Sequence, residues 1–304
     1  MLTPAATTHN SARLSSLRPG TSPSSASSRT EGDAGSIPFS KADFERVCKH
    51  IYQRAGIHLH AGKQSMVYNR LVRRLRACGI GSFSDYLAQL DHASSSEWEH
   101  FTNALTTNLT SFFREPHHFP VLGEHLKKLA AGRPLHIWCT AASTGEEPYT
   151  IAISAMEALG RDAASVRIIA SDIDTTVLRT AEAGEYPEQS IDSLSPDLMR
   201  KYLLRGAGGR AGFVKVRPEV RQLVSFRQVN LLAPTWPKFE PFDALFCRNV
   251  MIYFDKPTQA RILERFAPLM RTGALLFTGH SEHIPPGGGL FSLRGKTVYE
   301  RIVK

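Results

Sequence analysis

The sequence predicts an α/β protein: a doubly wound, parallel-rich sheet behind a small all-helical domain, with a short β subdomain inserted among the sheet's connections. Three observations carry that expectation. From Arg133 onward, strand-like apolar runs alternate with helical stretches, the pattern of parallel strands joined by crossover helices. From Phe39 to about Lys128 the apolar periodicity is helical. Residues 194–222, LSPDLMRKYLLRGAGGRAGFVKVRPEVRQ, break the alternation with a short helix, a Gly-rich turn and a β-like FVKVR.

In chain order, residues 1–36 are rich in Ser, Thr, Pro and Ala and almost free of large apolar residues, so they cannot offset their ordering entropy and are expected to be a disordered tail. Within residues 1–30, Arg13, Arg18 and Arg29 with no acid give a weak transit-peptide character, but no secretory apolar core accompanies them. Residues 37–128 form the helical domain, its short helices punctuated by Gly56, Gly62, Gly79 and Gly81. Residues 129–304 form the sheet domain, with strands in LHIWC, VRIIA, LVSFRQV, FDALFC, GALLFT and TVYERIV.

The formal charge of +9 implies an acidic partner without choosing among nucleic acid, anionic lipid and protein. No apolar run approaches twenty residues, so no membrane span is expected and a cytoplasmic location is. Four scattered cysteines, Cys48, Cys78, Cys139 and Cys247, lack C-x-x-C spacing, which fits neither a disulfide framework nor a zinc site and leaves reduced core thiols.

The stretch STGEEPY, between LHIWC and a helical run, is a strand–glycine–helix junction, where ligands bind in open α/β sheets. The phosphate fingerprint G-x-G-x-x-G is missing, and two carboxylates, Glu146 and Glu147, fill its place. Asp172, at the end of the second strand and roughly 25 residues on, stands where such sites put the acid that binds ribose hydroxyls; nearby Asp174 reads as a helix cap. A nucleoside that is positively charged and carries no phosphate satisfies all of this, and S-adenosylmethionine is such a ligand. Arg248 and Asn249 end the fourth strand and are expected to face the cleft mouth, the plainer alternative being a structural ion pair and a turn-forming Asn. Tyr253 follows close enough to point back into the same cleft. Upstream, TTNLTSFFREPHHF offers Asn108, Thr110 and Arg114, the last a bidentate partner for a ligand carboxylate.

MVYNRLVRRLRACGI makes a divided helix. Val67, Tyr68, Leu71, Val72 and Leu75 share one arc, and Arg70, Arg73, Arg74 and Arg76 share the other. Arginines with no acid among them favour docking to an acidic surface over a merely solvated face. His117 with His118, and His280, Glu282 and His283 in GHSEHIP, lack the convergent spacing of a metal site, and no metal is expected.

TTNLTSFFREPHHF, AASTGEEPY, ASDID, FCRNVMIYFD, GHSE and FSLRGKTVY, in this order, together with the arginine helix, resemble the chemotaxis receptor methyltransferases, the CheR family, from about residue 37 to the C terminus. The resemblance implies a class I S-adenosylmethionine-dependent, Rossmann-like domain behind a receptor-docking helical domain. Carried over by motif, the cofactor residues are Asn108, Thr110, Arg114, Glu147 rather than Glu146, Asp172, Asn230, Leu231, Arg248 and Asn249, with Arg114 and Tyr253 shaping catalysis. It implies methyl-ester formation on glutamates of chemoreceptor helical bundles. In some members the inserted β subdomain tethers the enzyme to a peptide at the receptor's C terminus, and the turn RGAGGRAG is similar to that form. Two rival readings are a nucleic-acid methyltransferase, disfavoured because RNVMIYF lacks an Asn-Pro-Pro-aromatic turn, and a non-catalytic sensor of S-adenosylmethionine.

Overall fold

The computed structural model describes residues 36–92, 95–130, 132–284 and 289–302. The expected tail therefore lies almost wholly outside the described residues. The helical part opens with α1 (Lys41–Ala55), started by a capping box in which the Ser40 hydroxyl accepts from the Asp43 backbone and the Asp43 carboxylate accepts in return. It continues with α2 (Gln64–Cys78), α3 (Phe83–Asp91) and α4 (Ser95–Leu105). Their apolar arcs close on one core that includes Val47, Ile51, Val67, Leu71, Leu75, Phe83, Leu87 and Phe101.

The helix α5 (His118–Leu129) behaves differently. The sequence places it in the helical domain, yet Phe119, Leu122 and Leu126 join the sheet's core and the helix packs on α6 (Glu146–Leu159). Periodicity identifies a helix but not which layer its apolar arc meets.

Seven strands form the main sheet: β1 (Leu135–Cys139), β2 (Val166–Asp172), β6 (Val224–Gln228), β7 (Phe242–Cys247), β8 (Met270–Thr278), β9 (Phe291–Gly295) and β10 (Val298–Arg301). Their order is β6-β2-β1-β7-β8-β10-β9. The first five are parallel, and β10 runs antiparallel to β8 and β9. Alternation along each strand sends side chains to opposite faces: Ile137, Phe246 and Phe277 join one core, while Trp138, Leu245 and Leu276 join the other. Helices cover both faces: α5, α6 and α7 (Thr175–Ala183) among them, and α10 (Lys256–Phe266) through Ile262, Leu263 and Phe266. Strand order reverses between β1 and β7, and at such a switch point the crest opens a crevice.

The inserted subdomain is a three-stranded antiparallel sheet, β3-β5-β4, made of β3 (Glu185–Pro187), β4 (Leu203–Arg205) and β5 (Phe213–Val216) with α8 (Pro196–Tyr202) and α9 (Pro218–Arg221). It begins earlier than residues 194–222, because β3 is too short to stand out from the turn at the end of α7. Of the four cysteines, Cys139 and Cys247 are buried core thiols as expected, whereas Cys78 is exposed.

Candidate active site

The turn after β1 begins the cleft. Gly145 sits at φ 101° and opens α6, and a Cβ there would stand 2.7 Å from the Tyr186 hydroxyl and 2.9 Å from the Ala181 Cβ. Glu146 and Glu147 occupy the first helical turn, where the helix dipole favours acid. The two diverge. Glu146 accepts from the Thr144 hydroxyl at 2.6 Å and stays out of the cleft, whereas Glu147 lines it.

At the end of β2, Asp172 is buried and accepts from two backbone amides, Ser143 N at 2.9 Å and Asp174 N at 3.0 Å. Burial outweighs these hydrogen bonds and pushes its carboxyl up to about 6. Asp174 caps α7 through Thr176 N at 2.8 Å, as its position implies, and its other oxygen accepts from Asn108 Nδ2 at 2.8 Å.

Beyond β7, Arg248 is buried between two carboxylates. It donates to Glu147 Oε2 at 2.6 Å and stands 3.4 Å from Glu115 Oε2. Burial pushes the Glu147 carboxyl up, with Arg248 opposing. Burial would raise Glu115 as well, but Arg248 and the hydrogen bonds from His280 and Asn249 outweigh it and hold Glu115 down at about 2. Asn249 adopts φ 57°, its backbone amide donating to Glu282 Oε2 at 2.8 Å. Gly279 N donates to that same oxygen, and a Cβ on Gly279 would lie 2.5 Å from Asn249 Nδ2. Phe113, Glu115, Ser143 and Asn249 all hold left-handed φ, each costing on the order of 1–3 kcal/mol, and all sit in loops around this crest.

All nine cofactor candidates and Tyr253 line one cleft with about 1250 Å³ of non-atom space, open solvent at its mouth included. Their side chains differ in freedom. Asn230 is occupied, its amide donating to Arg54 O and accepting from Leu232 N. Arg248 and Asn249 are tied into the ion network, so the plainer reading of these two describes their polar groups, while their position on the cleft wall agrees with the sharper one. Arg114, by contrast, has no carboxylate within ion-pair distance among the described residues and donates to Leu109 O at 2.9 Å. The Tyr253 phenol likewise has no hydrogen-bond partner among the described residues; its backbone alone is engaged, the amide donating to Val250 O at 3.1 Å and the carbonyl accepting from His58 N at 2.9 Å.

The arginine helix needs a correction. Arg70 donates to the carbonyls of Leu105 and Thr106, and Arg74 forms a two-point ion pair with Glu97. The acid missing from α2 arrives from α4. Arg73 and Arg76 remain exposed and unpaired among the described residues, and none of the four arginines reaches the cleft.

Sequence reading missed three contributors. The α1–α2 connection supplies a cleft wall through Ile57, His58, Leu59 and Lys63, and only tertiary packing reveals it. Glu115 and Glu282, both inside quoted motifs, are the carboxylates that bind the crest loops together. The Glu282 amide also donates to Gly279 O at 2.8 Å and closes the turn after β8. Ligand-type atoms of Glu115, His117 and His118 lie within 4.8 Å of one another, but the guanidinium of Arg248 already supplies the positive charge there.

A switch-point crevice with a ribose-type acid at its second strand, carboxylates in place of a phosphate cradle and a guanidinium with no carboxylate partner among the described residues defines a methyltransferase that uses S-adenosylmethionine. Comparison with known sequences narrows this. Residues 42–106 match the profile described as CheR methyltransferase, all-alpha domain, and residues 108–299 match CheR methyltransferase, SAM binding domain. The chain belongs to the CheR methyltransferase family. It is 57% identical over 266 residues to a chemotaxis protein methyltransferase of Klebsiella aerogenes, covering 86% of this chain and 90% of that one. Identity to the chemotaxis protein methyltransferase of Salmonella typhimurium is 52% over 264 residues, covering 86% and 91%. Among the described residues, no helix is long and apolar enough to cross a membrane.

Proposed function

We propose that this protein acts in the cytoplasm, transferring a methyl group from S-adenosylmethionine to glutamate side chains of a chemoreceptor's helical bundle. The observation that carries the reading is the unpaired Arg114 guanidinium in a cleft whose acids are buried or neutralised by Arg248. Asp172 holds the ribose hydroxyls. Arg114 receives the carboxylate of the methionine end and draws in the acidic acceptor. Asn108, Thr110, Glu147, Asn230, Leu231, Arg248 and Asn249 form the remaining walls of the cofactor site.

When bound, the cofactor supplies an electrophilic methyl carbon on its sulfonium. A glutamate with an ordinary pKa near 4.3 is already ionised at neutral pH, so the acceptor needs no general base. On the methyl carbon the carboxylate oxygen would displace the sulfonium, the bonding pair going to sulfur, so no residue of the chain would have to move a proton. The chain's task is therefore alignment and exclusion of water from a hydrated carboxylate. The Tyr253 phenol, free of hydrogen-bond partners among the described residues, orients that carboxylate. Exposed Arg73 and Arg76, rather than all four arginines, dock the receptor, and the edge strand β4 offers backbone to an extended receptor tail.

Incubation with methyl-labelled cofactor and receptors, with and without their C-terminal tails, should give label that mild base releases. Base-stable label would contradict ester formation. In the same assay Tyr253→Phe should keep cofactor affinity while slowing transfer about 10- to 100-fold, the range of a positioned polar group; unchanged turnover removes Tyr253 from the mechanism. Arg73→Glu with Arg76→Glu should raise the receptor KM more at low than at high salt, and an increase independent of salt would point to misfolding.

A further inference from the structure

Leu109 is 80% exposed, the highest value among the exposed large apolar side chains of the described residues, and it lines the cleft. Isolated exposed leucines are ordinary, but this one is held in place on both sides. Asn108 Nδ2 donates to Asp174 at 2.8 Å, the Asn108 carbonyl accepts from the Ser143 hydroxyl at 2.8 Å, and the Leu109 carbonyl accepts from Arg114 Nη1 at 2.9 Å. The backbone anchors thus keep an apolar side chain in water next to the guanidinium that meets the acceptor.

The α1–α2 part of the cleft wall carries basic groups. His58 and Lys63 are exposed, line the same cleft and form no ion pair among the described residues. The His58 amide donates to the Tyr253 carbonyl at 2.9 Å, which couples this wall to the tyrosine turn. The acids lining the cleft, Glu147 and Asp172, are both buried, so the mouth presents one apolar knob among basic groups with no exposed carboxylate.

We infer that this mouth reads the acceptor segment as an acidic amphipathic helix of the receptor: Leu109 packs on an apolar side chain one helical turn from the target glutamate while Lys63 and His58 attract its carboxylate. Residues three and four apart share a helix face, so one rigid contact of each kind also fixes which glutamate enters. The inference rests on the glutamate-methyltransferase reading.

The test measures receptor KM and, separately, cofactor Kd by calorimetry. Leu109→Ser should raise the receptor KM about 10-fold, the loss expected when a buried leucine contact disappears, with cofactor Kd unchanged, and Leu109→Met should restore KM. Lys63→Glu should raise KM most at low salt. An unaltered receptor KM for Leu109→Ser overturns the inference, as does weakened cofactor binding with normal receptor KM, which would assign Leu109 to the cofactor. A wild-type protein that methylates no receptor would instead bring down the underlying reading and this inference with it, so the wild-type control separates the two failures.

Discussion

Arg248→Ala is expected to cost about 3–5 kcal/mol of folding stability at neutral pH, because it leaves the buried Glu147 carboxylate and the part-buried Glu115 carboxylate without their shared counter-ion. Urea unfolding of both proteins measures it. The pH dependence has a definite sign. The Glu115 carboxyl sits at about 2 in the folded state, below its ordinary value, so its contribution is complete above about pH 4.5 and lost as pH falls toward 2. The gap between wild type and variant should therefore shrink on acidification. Arg248→Lys, which keeps the charge but not the two-sided geometry, should fall between them. A loss under about 1 kcal/mol at pH 7 would mean the network behaves like an exposed salt bridge, which the burial of Arg248 contradicts.

Asp172→Asn is expected to weaken S-adenosylmethionine binding on the order of 10- to 100-fold, the worth of a charge-assisted hydrogen bond of about 1.5–3 kcal/mol. Part of that loss is indirect. Both oxygens of Asp172 hold backbone amides of the crest, and an amide side chain can accept on only one side. The pH profile separates the two contributions. With its carboxyl pushed up to about 6, Asp172 is half protonated near that pH, so wild-type affinity should decline as pH drops through 6 and level off above 7. Calorimetric titration of Asp172→Asn should lack that decline. A variant that binds normally, or keeps the wild-type profile, would remove Asp172 from the ribose site.

Comparison of particular residues shows where sequence reading reached its limit. Asp172, Gly145 and the pair Glu146 and Glu147 were legible because strand and helix ends are local features: an apolar run stops, a glycine turns, an acid follows; the choice of Glu147 within the pair came from the resemblance. The cap role of Asp174 followed the same way. Glu115 was overlooked since nothing in FFREPHHF indicates that a strand some 130 residues later delivers Arg248 to it. The arginine face was misjudged for the mirror-image reason, as Glu97 stands on a different helix from the arginine it neutralises. The resemblance carried the family, while the cofactor already followed from the acids at the strand ends. It did not separate residues whose polar groups are committed, such as Asn230, from one whose polar group has no partner among the described residues, the Tyr253 phenol.

What the chain determined by itself was its elements: the period of its apolar residues, its caps and glycines, and the motifs at its strand ends, all fixed by interactions within a few residues. Which carboxylate meets which guanidinium, which helix lies on which layer, and which cleft group stays uncommitted were decided only by the tertiary structure. Those outcomes depend on pairing and desolvation between segments far apart in the chain, and no local pattern encodes the distance between them.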